Sequence, residues 1–151
     1  MIMRVCGVEL KGGEVIISLL GYEQGNFNLP ECRARMFTIG KMIDTEATQK
    51  FHFDFKKLIE DYHVDEVIII QRDQKGKNAG SAASFKAETA IQLCGKPTTL
   101  MSHVEIKERI SRNPIQARLD DLELKKFQYP AFKAAYACHH QAMYGPLEDE
   151  A

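Results

Sequence analysis

Hydrophobic and polar positions divide the chain into short strands followed by alternating helices and strands. Met3 to Leu10 is short and β-rich, and a second apolar run, Glu14-Val15-Ile16-Ile17-Ser18-Leu19-Leu20, follows Lys11-Gly12-Gly13. These two runs predict a hairpin, because glycine supplies the positive φ that a tight turn needs. Gly21 to Pro30 is polar, contains Gly and Asn, and predicts a loop or an irregular extension. Arg33 to Ile39 predicts a third strand. The spacing then becomes helical. Phe51, Phe55, Leu58 and Ile59 share one face of a helix capped at Asp44 or Thr45 and ending near Tyr62, with Phe53 and Tyr62 widening the apolar surface.

Asp65 to Ile70 predicts a strand whose unbroken apolar run, Val67-Ile68-Ile69-Ile70, implies burial on both faces. Ala79 to Leu93 predicts a helix rich in small residues, stopped by Gly95 and Pro97. Thr98 to Met101 predicts a strand. Ser102-His103-Val104-Glu105 has the form of a capping box, opening a helix that ends at Asn113-Pro114. A linker over residues 114–119 leads to a final helix, capped at Asp120 or Asp121 and reaching Tyr144, which Pro130 should kink or split. The order is β-β-β-α-β-α-β-α-α. It predicts an α/β fold whose mixed sheet has five strands, three antiparallel and then parallel, with helices on both faces.

Composition narrows the class. At 151 residues, residues 1–144 are expected to form one domain, with 145–151 as a disordered acidic tail. A net charge of −1 lacks the basic excess of a dedicated high-affinity nucleic-acid binder, though a local basic face remains open. No apolar run approaches the roughly 20 residues of a membrane span, so no membrane partner is expected. Cys6, Cys32, Cys94 and Cys138 are scattered without a C-x-x-C pair, which fits a reduced, cytoplasmic compartment. His52, His63, His103, His139 and His140 show no zinc-type spacing, so no metal is assigned to them. Lys107, Arg109 and Arg112 are balanced by Glu105 and Glu108 and predict a solvated helix face.

The stretch Gln71-Arg72-Asp73-Gln74-Lys75-Gly76-Lys77-Asn78-Ala79-Gly80-Ser81-Ala82 lies between the apolar strand and the small-residue helix. Ligands of open α/β sheets bind at such strand ends. Residues 71–96 hold five Lys/Arg against two acids, so Arg72, Lys75 and Lys77 form a basic loop. It reads either as a phosphate contact or as a solvated loop. Glu88 reads as a surface residue in preference to a buried, paired one.

The element order is that of ribonuclease H-like domains, and particular residues sharpen the likeness. Val5-Cys6-Gly7-Val8-Glu9 resembles the first strand of RuvC-type Holliday-junction resolvases, with Glu9 in the place of the first catalytic carboxylate. Lys77-Asn78-Ala79-Gly80-Ser81-Ala82 matches that family's Lys-Asn-x-x-Ser-Ala run and puts Gln71 on a catalytic Glu. Pro97, Ile106-Lys107 and Ala134 to His139 fall in step, which places Gln128 and Ala131 on two metal-binding aspartates. The whole chain is also similar to a family of small bacterial proteins of this superfamily without an assigned activity.

The resemblance implies catalysis by two Mg²⁺ or Mn²⁺ ions held by three or four carboxylates. Here one carboxylate, Glu9, stands with Gln71, Gln128 and Ala131, too little charge to concentrate hard divalent ions. The expectation is therefore a vestigial site with no cofactor, in a domain that binds DNA or RNA weakly or engages a protein partner. The alternative is a metal-dependent nuclease in which Asp73 or Glu88 joins Glu9. Homodimerisation is a further implication of the superfamily.

Overall fold

The computed structural model describes residues 2–40, 44–72 and 81–147. The predicted hairpin forms: β1 (Met3–Lys11) pairs antiparallel with β2 (Glu14–Glu23) along its whole length. Two short strands lie on the outer edge of β2. β3 (Asn26–Asn28) pairs with Gly21 to Glu23, and β4 (Met36–Thr38) with Glu14 to Ile16. On its other side β1 pairs in parallel with β5 (Glu66–Ile70), which pairs in parallel with β6 (Thr98–Met101). The described sheet thus runs β3-β2-β1-β5-β6, with β4 also on β2.

The fold is the expected mixed α/β sheet, with six described strands in place of five. The added strand, β3, falls in the stretch expected to be a loop. Gln24 and Gly25, between β2 and β3, have φ of 50° and 84°. Two successive positive φ values make the tight turn whose twist suits a hairpin. Tyr22 then lies opposite Phe27, with ring centroids 4.8 Å apart.

Helices α1 (Thr45–Asp61) and α2 (Ala82–Gln92) pack together on one face; α3 (His103–Arg112) and α4 (Tyr129–Tyr144) cover the other. β5 feeds both cores, which explains its unbroken apolar run. Val67 and Ile69 join Phe55, Leu58 and Ile91, while Ile68 and Ile70 join Ile106, Phe132 and Cys138. Cys6, Cys94 and Cys138 are buried and all four thiols are free. Burial pushes the Cys6 and Cys138 thiols up, so both are inert hydrophobes at neutral pH.

Several local expectations are revised. Phe53 is exposed and does not extend the apolar face of α1. α2 starts at Ala82, capped by the Ser81 hydroxyl; the expected start at Ala79 lies outside the described residues. Ser102 caps α3, but the Glu105 carboxylate turns away to pair with Arg109. The last helix is preceded by 3-10 turns at Leu119–Asp121 and Lys126–Gln128. Pro130 lies in the first turn of α4, where its missing N–H costs nothing, so it starts the helix and does not kink it. Arg109, expected on a solvated face, is fully buried. It donates to Glu105, to His140 Nδ1 and to the Gly145 carbonyl, tying α3 to the end of α4. Gly145 to Leu147 therefore continue the packed structure, and the rest of the predicted tail lies outside the described residues.

Candidate functional site

The carboxyl ends of the parallel strands β1, β5 and β6 lie side by side at one end of the sheet. Val8 lies opposite Ile69, so the same register carried onward sets Glu9 level with Ile70 and Gln71 one residue beyond. The Gln71 N–H donates to the Met101 carbonyl at 2.8 Å, which brings the end of β6 and the start of α3 alongside. Glu9, Gln71 and the Ser102-His103 corner thus share one end of the sheet.

Glu9 is half-buried, and burial raises its carboxyl above the ordinary range. Lys11 on the same strand and His103 at the start of α3 oppose that rise. Gln71 is exposed. Among the described residues no three His, Cys, Asp or Glu side chains come together in a metal-holding group.

Gln128 and Ala131 are buried, and each has a structural role. The Gln128 amide Nε2 donates to the Ile17 carbonyl at 2.9 Å, and its Oε1 accepts from the Lys125 N–H at 3.0 Å. Ala131 is completely buried, and its carbonyl rests on Gly7, two residues before Glu9. A Cβ built on Gly7 would lie 1.9 Å from that oxygen. A glycine inside an apolar strand marks such a backbone approach. Helix α4 is therefore seated directly on β1, with Ala131 against the sheet where the resemblance implied a metal-binding aspartate.

Arg72 does not reach into solvent. Its guanidinium packs over the Phe85 ring at 4.5 Å and pairs with Glu88 at 3.1 Å, with both side chains mostly buried. Glu88 is accordingly a buried partner and not the surface residue expected. Its partner there is Arg72, and among the described residues it forms no metal-holding group with Glu9. Asp73, Lys75 and Lys77 lie outside the described residues.

His139 and His140 are both buried. His139 Nε2 bonds the Leu20 carbonyl at 2.8 Å. His140 bonds Arg109 through Nδ1 and the Asn113 side chain through Nε2. Desolvation lowers both imidazoles, and Arg109 and Arg112 lower His140 further. No sequence signal marked them as packing residues beyond their place in an alanine-rich helix.

The described residues do not by themselves assemble a two-metal centre. Hard divalent ions require several charged oxygens in one place. The described residues offer Glu9, beside two basic side chains.

Comparison with known proteins agrees with this fold. Residues 3–138 match the family of proteins of unknown function DUF3010, and the chain belongs to that family. The sequence matches none of the curated proteins. Thermus thermophilus RuvC superposes with a TM-score of 0.74 at 12% identity, covering 95% of this chain and 97% of that one. T. thermophilus RuvC in complex with a Holliday junction substrate gives 0.70 at 11% identity, covering 95% and 96%. At such identities the likeness is one of fold: a ribonuclease H-like, RuvC-like domain. Among the described residues no helix is long and apolar enough to cross a membrane.

Proposed function

We propose that this member of the DUF3010 family is a ribonuclease H-like domain that holds nucleic-acid phosphates without cutting them. The observation that carries this reading is the surroundings of Glu9. Its basic neighbours are Lys11 and His103, and two of the three positions that would complete a metal site, Gln128 and Ala131, are committed to packing. In a two-metal nuclease the phosphate meets cations held by carboxylates. Here a lysine, Lys11, stands at the same end of the sheet. Lys75 and Lys77, in the segment between β5 and α2, add basic charge after the neighbouring strand end. Arg72 is left out of the phosphate-binding set, because it is spent on Glu88. The junction bound by T. thermophilus RuvC supplies the first substrate to try.

The test is anisotropy of a labelled four-way DNA junction across a salt series. If Lys11, Lys75 and Lys77 each neutralise one phosphate, log K falls with log salt at a slope of about −3. Lys75→Ala with Lys77→Ala should flatten that slope by about 2. With Mn²⁺ added, the junction should stay intact. Cleavage would overturn the non-catalytic reading. Absence of binding at low salt would overturn the nucleic-acid reading and leave protein interaction, tested by pull-down, as the function.

A further inference from the structure

Arg109 is completely buried between α3 and α4. Its Nε donates to the Glu105 carboxylate at 2.8 Å, and one terminal nitrogen donates both to His140 Nδ1 at 3.0 Å and to the Gly145 carbonyl at 3.1 Å. A guanidinium can only donate, so Nδ1 must be the bare, accepting nitrogen of the ring. The ring proton then sits on Nε2, which donates to the Asn113 side-chain oxygen at 2.7 Å. Both nitrogens are thereby satisfied in a single tautomer of the neutral imidazole. Tyr144 lies against the same ring, with centroids 4.6 Å apart.

A second proton on this ring would enter at Nδ1 and face the guanidinium, donor against donor and cation against cation, at a residue only 5% exposed. The charged groups that act on the ring from α3 are Arg109 and Arg112, and both oppose a positive imidazole. Glu105 and Glu108 are the carboxylate partners of those two arginines. From its own helix the ring meets Tyr144, and Tyr22, Phe27 and Tyr136 line the cavity beside it. None of these four is charged at acid or neutral pH. We infer that the last turn of α4 and residues 145–147 form an acid-released latch, closed on α3 while His140 is neutral and open once it is protonated. The Gly145 carbonyl is held by the same arginine nitrogen, so parting the ring from Arg109 also loosens the chain that follows. Pro146 and Leu147 wall a cavity of about 440 Å³ against Ser102, Glu105 and Glu108, and opening removes that wall. The latch does not depend on the phosphate-binding reading.

The experiment is nuclear magnetic resonance of the full chain across a pH series. Ring nitrogen shifts at about pH 7.5 should show His140 with its proton on Nε2. The Gly145 N–H, which donates to the Gln141 carbonyl at 2.8 Å, reports the latch through its hydrogen exchange. A released ring titrates near its ordinary value of about 6.5 and the held ring lower, so the opening constant should rise about tenfold per pH unit below about 6.5, until the held ring itself titrates. The Val67 N–H of β5, which donates to the Pro97 carbonyl, should stay at least about a hundredfold better protected throughout, which separates release of the latch from global unfolding. His140→Asn puts a side-chain oxygen where Nδ1 stands, able to accept from Arg109 at every pH. Its Gly145 exchange, corrected for the intrinsic rate, should be flat across the series. The inference is overturned if His140 carries its proton on Nδ1 at neutral pH, if corrected Gly145 exchange in the parent is indifferent to pH, if Val67 opens in step with Gly145, or if His140→Asn keeps the pH dependence of the parent. Should that variant fail to fold, the tautomer and the parent series decide the matter.

Discussion

Gly7→Ala tests the seating of α4 on β1. The new methyl carbon would stand 1.9 Å from the Ala131 carbonyl oxygen, 2.9 Å from its carbon and 3.0 Å from the Ala135 nitrogen. Relief to ordinary van der Waals contact requires the backbones to part by more than 1 Å or so. Every obstacle is backbone, so no rotamer change can absorb the clash. The helix that must retreat carries Phe132, Ala134, Ala135 and Cys138 of the second core. Overpacking of this kind costs about 3 kcal/mol or more. Alanine recovers about 0.5–1 kcal/mol of the strand penalty of glycine. The net loss is about 2 kcal/mol or more, which lowers the thermal midpoint of a chain this size by about 4–8 °C. The paired control is Gly21→Ala, whose methyl would lie 2.6 Å from the Asn28 side-chain oxygen. That side chain can swing aside, so the control should lose well under half as much. Thermal and urea melts followed by circular dichroism decide the matter. Equal midpoints for the two variants, or a Gly7→Ala midpoint at or above that of the parent, would refute the argument.

Three further outcomes follow from the same geometry. Gln128→Glu replaces the amide donor with a carboxylate oxygen facing the Ile17 carbonyl, so it should cost about 2 kcal/mol at neutral pH. Protonation restores a donor, and the urea midpoint of that variant should recover relative to the parent as pH falls; Gln71→Glu, at an exposed position, should show neither effect. His139 and His140 have lowered folded-state values, so the unfolded chain takes up protons that the fold refuses once pH drops below about 6.5. Their contribution is complete above that pH and lost on the way down to the folded values, so the parent urea midpoint should be lower at about pH 5.5 than at about pH 7.5; an unchanged midpoint would contradict it. Arg109→Ala strips partners from Glu105, His140 and the Gly145 carbonyl and should cost about 3 kcal/mol by chemical denaturation, whereas a surface arginine would cost almost nothing.

The parts of the structure that are local or periodic were legible in the sequence. β5 announced its double burial through four consecutive apolar residues, and α1 its inner face through Phe51, Phe55, Leu58 and Ile59. The Gly7-Val8-Glu9 and Gln71 positions fall together at one end of the sheet, because strand ends keep their place in a fold of this order. What escaped depends on partners distant in sequence. β3 is three exposed residues, and Gln24-Gly25 is a weaker hairpin signal than Asn-Gly. Arg109 follows Ile106 by three positions and so falls within the apolar stripe, a sign available in the sequence but outweighed by the nearby acids. Arg72 read as a basic loop residue because nothing local reveals that Glu88, one element later, lies beneath it.

The two short strands on β2 bear on how the sheet edge is kept from pairing with other chains. β2 carries the longest buried run in the sheet, Val15 to Gly21, and an open edge there would offer backbone donors and acceptors to any other extended chain. β3 and β4 cover its two ends, the Arg35 carbonyl takes the Ile17 N–H, and Gln128 takes the Ile17 carbonyl. Each covering strand has only three residues, too few to template a further strand in turn. Loosening segment 29–35 or trimming Gln128 would therefore expose a ready template for intermolecular β-pairing, and the first symptom of damage at this edge would be fibrillar or amorphous assembly, ahead of any loss of helix.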